Sequence, residues 1–240
     1  MSGTIKTIDP TTYNQNEPPE GDWLLPPTNL LDALKLVRPF ISDNAIHSWA
    51  LAACLNNDHM IATTNVSIIK VNCPFLGGSG NLLPHWAIDY VLSRKDDTPT
   101  GFQFTDNYAA FMWDDGSWMK AQLVNGEFPP AIDKLFEQYK EPTWELTDEW
   151  RDAYESISEL AEGHIELHAT KLVGQQEKTT TEHVIPTTPL PDGVEYTKWQ
   201  PVFLDAVVHV ATHWQPDAYP NPAAFSAPDK GVLGFIMGRR

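Results

Sequence analysis

The sequence predicts an α+β fold of mostly antiparallel sheet, built twice over. Two observations carry this. Runs of strand-like segments rich in Ile, Val and Thr are interrupted by only two helix-like stripes in each half of the 240 residues. The order strand, helix, strands, helix, strands then occurs before, and again after, the segment Gln122-Leu-Val-Asn-Gly-Glu-Phe-Pro-Pro130. The length suits one large domain or two of about 110–120 residues. The expected divisions are a loose polar arm over 1–22, a first domain over 23–130, a connector over 131–143 and a second domain over 144–240.

The arm carries Pro10, Pro18 and Pro19 and few large apolar groups. Trp23-Leu24-Leu25 reads as a short strand. Thr28 or Asn29 caps a helix over about 29–40, with Leu30, Leu31, Leu34 and Val37 on one stripe. Residues 46–55 and 59–72 read as two strands around a turn at Asn56-Asn57-Asp58. Gly77–Gly80 is a flexible break. Pro84 opens a second helix to about Leu92, with Arg94 and Lys95 at its C-terminal end, where they suit the helix dipole. Residues 101–105, 107–113 and 117–124 are three more strands, the last two joined by the tight turn Asp114-Asp115-Gly116.

In the second half Trp144–Leu146 is a short strand. Thr147 caps a helix whose stripe is Trp150, Ala153, Tyr154, Ile157 and Leu160, ending at Gly163. His164–Val173 and Lys178–Ile185 read as strands, Pro186–Asp192 as a loop and Val194–Thr197 as a strand. A helix is expected from Pro201 to Trp214, with Phe203, Ala206, Val207 and Val210 facing inward. Pro216–Pro228 reads as extended and Pro-rich, and Gly231–Met237 as a final strand.

Charge narrows the function. With 32 acidic and 16 basic residues the formal net charge is −16, so the chain as a whole repels polyanions. Basic residues gathered on one face reverse that locally. No run of about 18 apolar residues marks a membrane span, and the N-terminus lacks a signal pattern. Cys54 and Cys73, outside any CxxC, read as two buried thiols in a reducing, cytoplasmic setting.

No Gly-rich phosphate loop, Walker motif, GxSxG or HExxH occurs, and no cofactor or catalytic group is called for. His164, Glu166 and His168 share one strand face at i, i+2, i+4. They outline an alternative function, a metal-dependent hydrolase, but read as an exposed polar face without a metal. The Asp114-Asp115 pair belongs to its turn. The nine Trp suit core and interface positions.

Four segments together resemble the DNA sliding clamp family. Leu30–Phe40 with Ile41-Ser42 resembles the pattern of the family's first helix. His59-Met-Ile-Ala-Thr-Thr-Asn-Val-Ser-Ile68 resembles a characteristic strand, with Thr64-Asn65 where the family has Asp-Gly. Gln122–Pro129 resembles the end of a clamp domain. Gly231-Val-Leu-Gly-Phe-Ile-Met237 resembles the terminal strand, with Gly238 in place of Pro. The resemblance implies a ring of six like domains with helices lining the hole, and hence a homotrimer of two-domain chains. It implies a processivity factor that encircles double-stranded DNA without reading sequence. Small size, the arm and drifted motifs point to a phage clamp in its host's cytoplasm.

In such a ring the DNA-facing cations would be Lys35, Arg38, Arg94 and Lys95 in the first half and Arg151 and Lys198 in the second. The helix over 148–162 also carries Asp148, Glu149, Asp152, Glu155, Glu159 and Glu162. The resemblance further implies an apolar pocket for short linear peptides of the polymerase and clamp loader. Its walls would be Thr63, Val66, Ile68, Pro129 and Met237. A clamp-fold interaction module that does not encircle DNA is the other alternative.

Overall fold

The computed structural model describes residues 19–74, 79–95, 97–176 and 179–239. Most of the expected arm and the first two residues of the expected Gly break, Gly77 and Gly78, lie outside these residues. One unit, a strand followed by a helix and three strands, recurs four times.

The first unit is Leu24, α1 (Leu30–Val37), β1 (Ala52–Asn56), β2 (His59–Thr63) and β3 (Ser67–Asn72). The second is β4 (Ser79–Pro84), α2 (His85–Ser93), β5 (Gly101–Phe104), β6 (Tyr108–Met112) and β7 (Trp118–Gln122). After α3 (Ala131–Glu137), the third is β8 (Trp144–Glu145), α4 (Asp148–Ser158), β9 (Ile165–His168), β10 (Lys171–Gln176) and β11 (Thr179–Val184). The fourth is β12 (Tyr196–Trp199), α5 (Pro201–Val210), β13 (His213–Trp214), β14 (Ala223–Ala227) and β15 (Val232–Ile236).

The units are interlaced in pairs. The leading strand of each joins the sheet of its sibling: β4 pairs with β1, Leu24 bridges Phe102 on β5, β8 pairs with β13 and β12 with β9. The two halves then meet edge to edge, because β3 pairs antiparallel with β15, with Ile69 opposite Gly234. The result is an eight-stranded sheet of order β4-β1-β2-β3-β15-β14-β13-β8. It is flanked by the sheets β5-β6-β7 and β11-β10-β9-β12.

Local chemistry explains the helices. Thr147 accepts a hydrogen bond from Trp150 N at 3.3 Å and so caps α4. Pro201 opens α5, where the missing N–H costs nothing. α1 buries Leu30, Ala33, Leu34 and Val37 against the sheet. The same main core holds the stacked Phe40 and Phe225 rings and the cluster Trp150, Trp199 and Trp214. The opposite face of the eight-stranded sheet holds a second, smaller core of Cys54, Ile61, Ile68, Leu82 and Phe235. α3 covers it with Ile132, Leu135 and Phe136. Burial pushes the Cys54 thiol up to about 11 and that of Cys73 up to about 12.

Several expected elements differ. The strand expected over 59–72 is a hairpin, folded back at Asn65 with φ 74°, a conformation Asn tolerates better than most residues. The first part of the strand expected over 46–55 is a 3-10 turn at Ser48–Leu51. The expected Gly break ends in β4, because Ser79 pairs with Asn56 and Asn81 with Leu55 of β1, across an irregularity at Gly80. The strand expected over 164–173 is two strands, β9 and β10, folded against each other. Leu160 lies beyond the end of α4 and is 41% exposed. The last helix stops at Val210, so that His213 and Trp214 join the sheet between β14 and β8. The stretch 216–228 contains β14, buried along its whole length.

Candidate functional site

A cavity of about 250 Å³ opens on the outer face of the sheet, where β3 meets β15. The β2–β3 turn forms one wall and is held by its own side chains. Thr63 Oγ1 accepts from Asn65 N at 3.1 Å and donates to Ser67 O at 2.9 Å. Thr64 Oγ1 accepts from Ser67 N at 3.0 Å. Opposite, Met237 N donates to Val66 O at 2.8 Å, which extends the ladder one residue beyond β15.

Thr63, Val66, Ile68, Pro129 and Met237 all line this one cavity. They come from three segments far apart in sequence. The geometry adds Trp49, Ile132, Leu135, Pro222 and Phe235, which sequence reasoning missed. Trp49 is stacked on His47 at 5.2 Å and meets Phe128 edge-on at 6.1 Å, which fixes the approach of the chain into α3. A signal for α3 was present: Ile132, Leu135 and Phe136 fall at i, i+3, i+4 directly after Pro129-Pro130. No lining residue is ionisable. The site therefore offers carbon walls and a few hydroxyl and amide groups, which suits apolar anchors on an extended segment.

A larger cleft of about 700 Å³ lies across the turn and shares Asn65 with the first cavity. Its walls include Arg38, Ile41, Asp43, Ile46, Val202 and Phe203.

Most of the six candidate cations are engaged within the chain. Arg38 Nε donates to Asp89 at 2.5 Å and its Nη2 to Asp43 at 2.6 Å; these two partners raise its pKa. Arg94 bonds Asp97 at 2.5 Å and Asp115 at 2.9 Å and lies 4.3 Å over the Trp113 ring. Arg151 donates to the carbonyls of Val208, of Leu146 at 3.3 Å and of Ala211 at 2.5 Å, closing the C-terminal end of α5. Lys198 Nζ is 3.8 Å from Glu166. Lys35 is exposed 3.8 Å from Asp32. Lys95 is exposed and makes no ion pair with a described residue. The solvent side of the helices carries Asp32, Asp89, Asp148, Glu149, Asp152, Glu155 and Asp205, an excess of carboxylate.

His164, just before β9, and Glu166 and His168 on it lie side by side. His164 Nε2 and His168 Nε2 lie 3.5 and 3.6 Å from the two Glu166 carboxylate oxygens, with Lys198 alongside. Among the described residues no three His, Cys, Asp or Glu side chains converge as metal ligands. No described helix is long and apolar enough to cross a membrane.

No protein-family model and no curated protein matches the chain. Solved structures do match. The beta subunit of DNA polymerase from Streptococcus pyogenes superposes with a TM-score of 0.72 at 14% identity, over 98% of this chain and 71% of that one. The Helicobacter pylori beta clamp bound to a DNA ligase peptide gives 0.71 at 13%, over 95% and 69%. The Caulobacter crescentus pol III beta gives 0.71 at 13%, over 92% and 66%. The chain spans about two thirds of the length of these clamps and has their fold.

Proposed function

We propose that this chain is a non-enzymatic DNA sliding clamp, a processivity factor that encircles duplex DNA and tethers a polymerase through a short peptide. The observation that carries this reading is the pocket. Five residues expected at a partner-peptide site converge on one neutral, apolar cavity in a clamp fold. The peptide bound to the Helicobacter pylori clamp supports a peptide as the kind of occupant.

In this reading the halves 23–130 and 144–240 are two clamp domains. Three chains then supply the six domains of a ring, with helices toward the hole. Grip on DNA is topological. Most candidate cations bind their own chain, which leaves Lys35 and Lys95 as the phosphate-facing charges. The setting is the cytoplasm, that of the host if the chain is a phage protein. Polymerase and clamp loader share the pocket through short linear segments.

Light scattering tests the ring, which has about three times the chain mass of 26.9 kDa. Primer extension on a long primed circle tests the function. The protein lengthens products made in one binding event, and Leu135→Asp, at the pocket wall, abolishes the effect without unfolding the chain. The carboxylate excess on the helices supports a second reading, a clamp-fold interaction module that does not encircle DNA. Unchanged product length with a functioning polymerase selects that reading.

A further inference from the structure

The pocket proposed for a partner peptide does not end at its own rim. Two features join it to the larger cleft across the β2–β3 turn. Asn65, at the crest of the turn, lines both. Beside it the Trp49 and His47 rings stack at 5.2 Å and 9°, and Trp49 lines the pocket while His47 lines the cleft. An extended chain that crosses the crest therefore stays against the protein from the outer face of the sheet to the helical side. The crest is held from within by the Thr63 and Thr64 hydroxyls. Asn65 itself is exposed, and its amide carries donors and an acceptor for a passing backbone.

The cleft is apolar where it is most exposed. Ile46 is wholly exposed, and Val202 in the first turn of α5 is 71% exposed. Both line the cleft, together with Ile41 and Phe203. A lone exposed aliphatic residue needs no explanation, but two on the walls of one cleft, continuous with a peptide pocket, mark a contact surface. The charges nearby are matched within the chain, since Arg38 Nη2 donates to Asp43 at 2.6 Å. The cleft, like the pocket, therefore suits an uncharged side chain.

Size points the same way. Sites that enclose most of a ligand usually measure about 300–1,000 Å³, and the pocket alone, at about 250 Å³, falls short of that. The cleft adds about 700 Å³.

We infer that the partner peptide is a two-anchor segment. One apolar anchor fills the pocket, the backbone crosses Asn65 and the His47–Trp49 stack, and a second apolar side chain seats in the cleft against Ile46 and Val202. The inference rests on the peptide reading of the pocket and deepens it. The occupant is longer than the pocket holds, and it runs toward the helices, where that reading puts the DNA. The second anchor also ranks partners that share the first. A segment with one anchor binds weakly and yields to a segment with both.

The probe is a peptide selected on the parent chain from a random library, long enough to span both cavities in extended form. Its truncated form keeps only the stretch whose binding Leu135→Asp abolishes. Fluorescence anisotropy compares the two. On the parent, the full peptide binds about tenfold more tightly than the truncated one. Ile46→Ser with Val202→Asp removes that advantage and leaves the truncated form within about twofold of its parent affinity. Both positions are exposed and Asp suits the first turn of a helix, so the double variant folds, and its grip on the truncated form reports this. A full peptide that binds the double variant as it binds the parent, or a truncated form as tight as the full one, overturns the second anchor and leaves the pocket reading standing. Binding that survives Leu135→Asp, or a library that yields no binder, overturns the pocket reading and the second anchor with it.

Discussion

Replacing Gly234 with Ala tests the joint on which the pocket is built. A Cβ at this position lies 2.1 Å from Phe225 Cζ and 2.5 Å from the Ile68 carbonyl oxygen. Carbon atoms rest at about 3.5–4.0 Å, so the methyl overlaps the ring by more than an ångström. Neither wall yields easily. Phe225 is fully buried and stacked on Phe40 with ring centroids 5.7 Å apart, and the Ile68 oxygen is backbone of the neighbouring strand. Overpacking of this kind costs ~1–3 kcal/mol, and two rigid walls place Gly234→Ala near the upper end. For a chain of this size, about 3 kcal/mol lowers Tm by roughly 6–12 °C. Ile68, Phe235 and Met237 move with the strands, so peptide binding falls with stability. Adding Phe225→Leu relieves one clash and leaves the other, so the double variant loses less than the sum of the singles. Calorimetry with a peptide titration reads both effects. A Tm within about 1 °C of the parent refutes close contact of β3, β14 and β15 at this point.

Arg151→Met removes a guanidinium that closes three carbonyls around the C-terminal end of α5 while keeping most of the side chain's bulk. Hydrogen bonds from a charged donor contribute about 1.5–3 kcal/mol, and urea denaturation shows a loss of that order; an unchanged midpoint contradicts the contacts. The Asp115 turn carries a pH signature. Bonds from Ser117, then Arg94, hold its carboxylate down at about 2, below the ordinary 3.8. A depressed folded pKa stabilises the fold above the unfolded pKa, and that contribution disappears as pH falls from about 4 to about 2. The Tm gap between the parent and Asp115→Asn therefore narrows across that window. A gap that stays constant from pH 5 to pH 2 contradicts the assignment.

The parts of the fold legible in the sequence are those fixed by neighbours a few residues away. Thr147 and Pro201 announce helix starts, and the stripes in α1 and α4 follow from their spacing. The hairpin at Asn65 was harder to read, because seven of the eleven residues from Ile61 to Val71 are β-branched and hide a short reversal. α3 was missed because it is short, follows a Pro pair and buries none of its residues completely. Long-range ion pairs were not legible at all. Arg38 and Asp89 are 51 residues apart, so a side chain that reads as a free helix cation proves to be an internal clasp. Of the pocket, the resemblance supplied the strand, junction and terminal residues. Trp49 and α3 required the three-dimensional approach of Phe128.

The place of β15 has a consequence for how the chain is made. The strand that holds the eight-stranded sheet together at its middle is translated after every other strand of that sheet. Until residues 232–236 emerge, the first half keeps β3 as a bare edge and the second half lacks the seam that fastens it. Assembly on the ribosome therefore ends with insertion between two waiting edges rather than growth from one side. Contacts between residues so far apart make this step slow, and the waiting edges are open to strands of other chains.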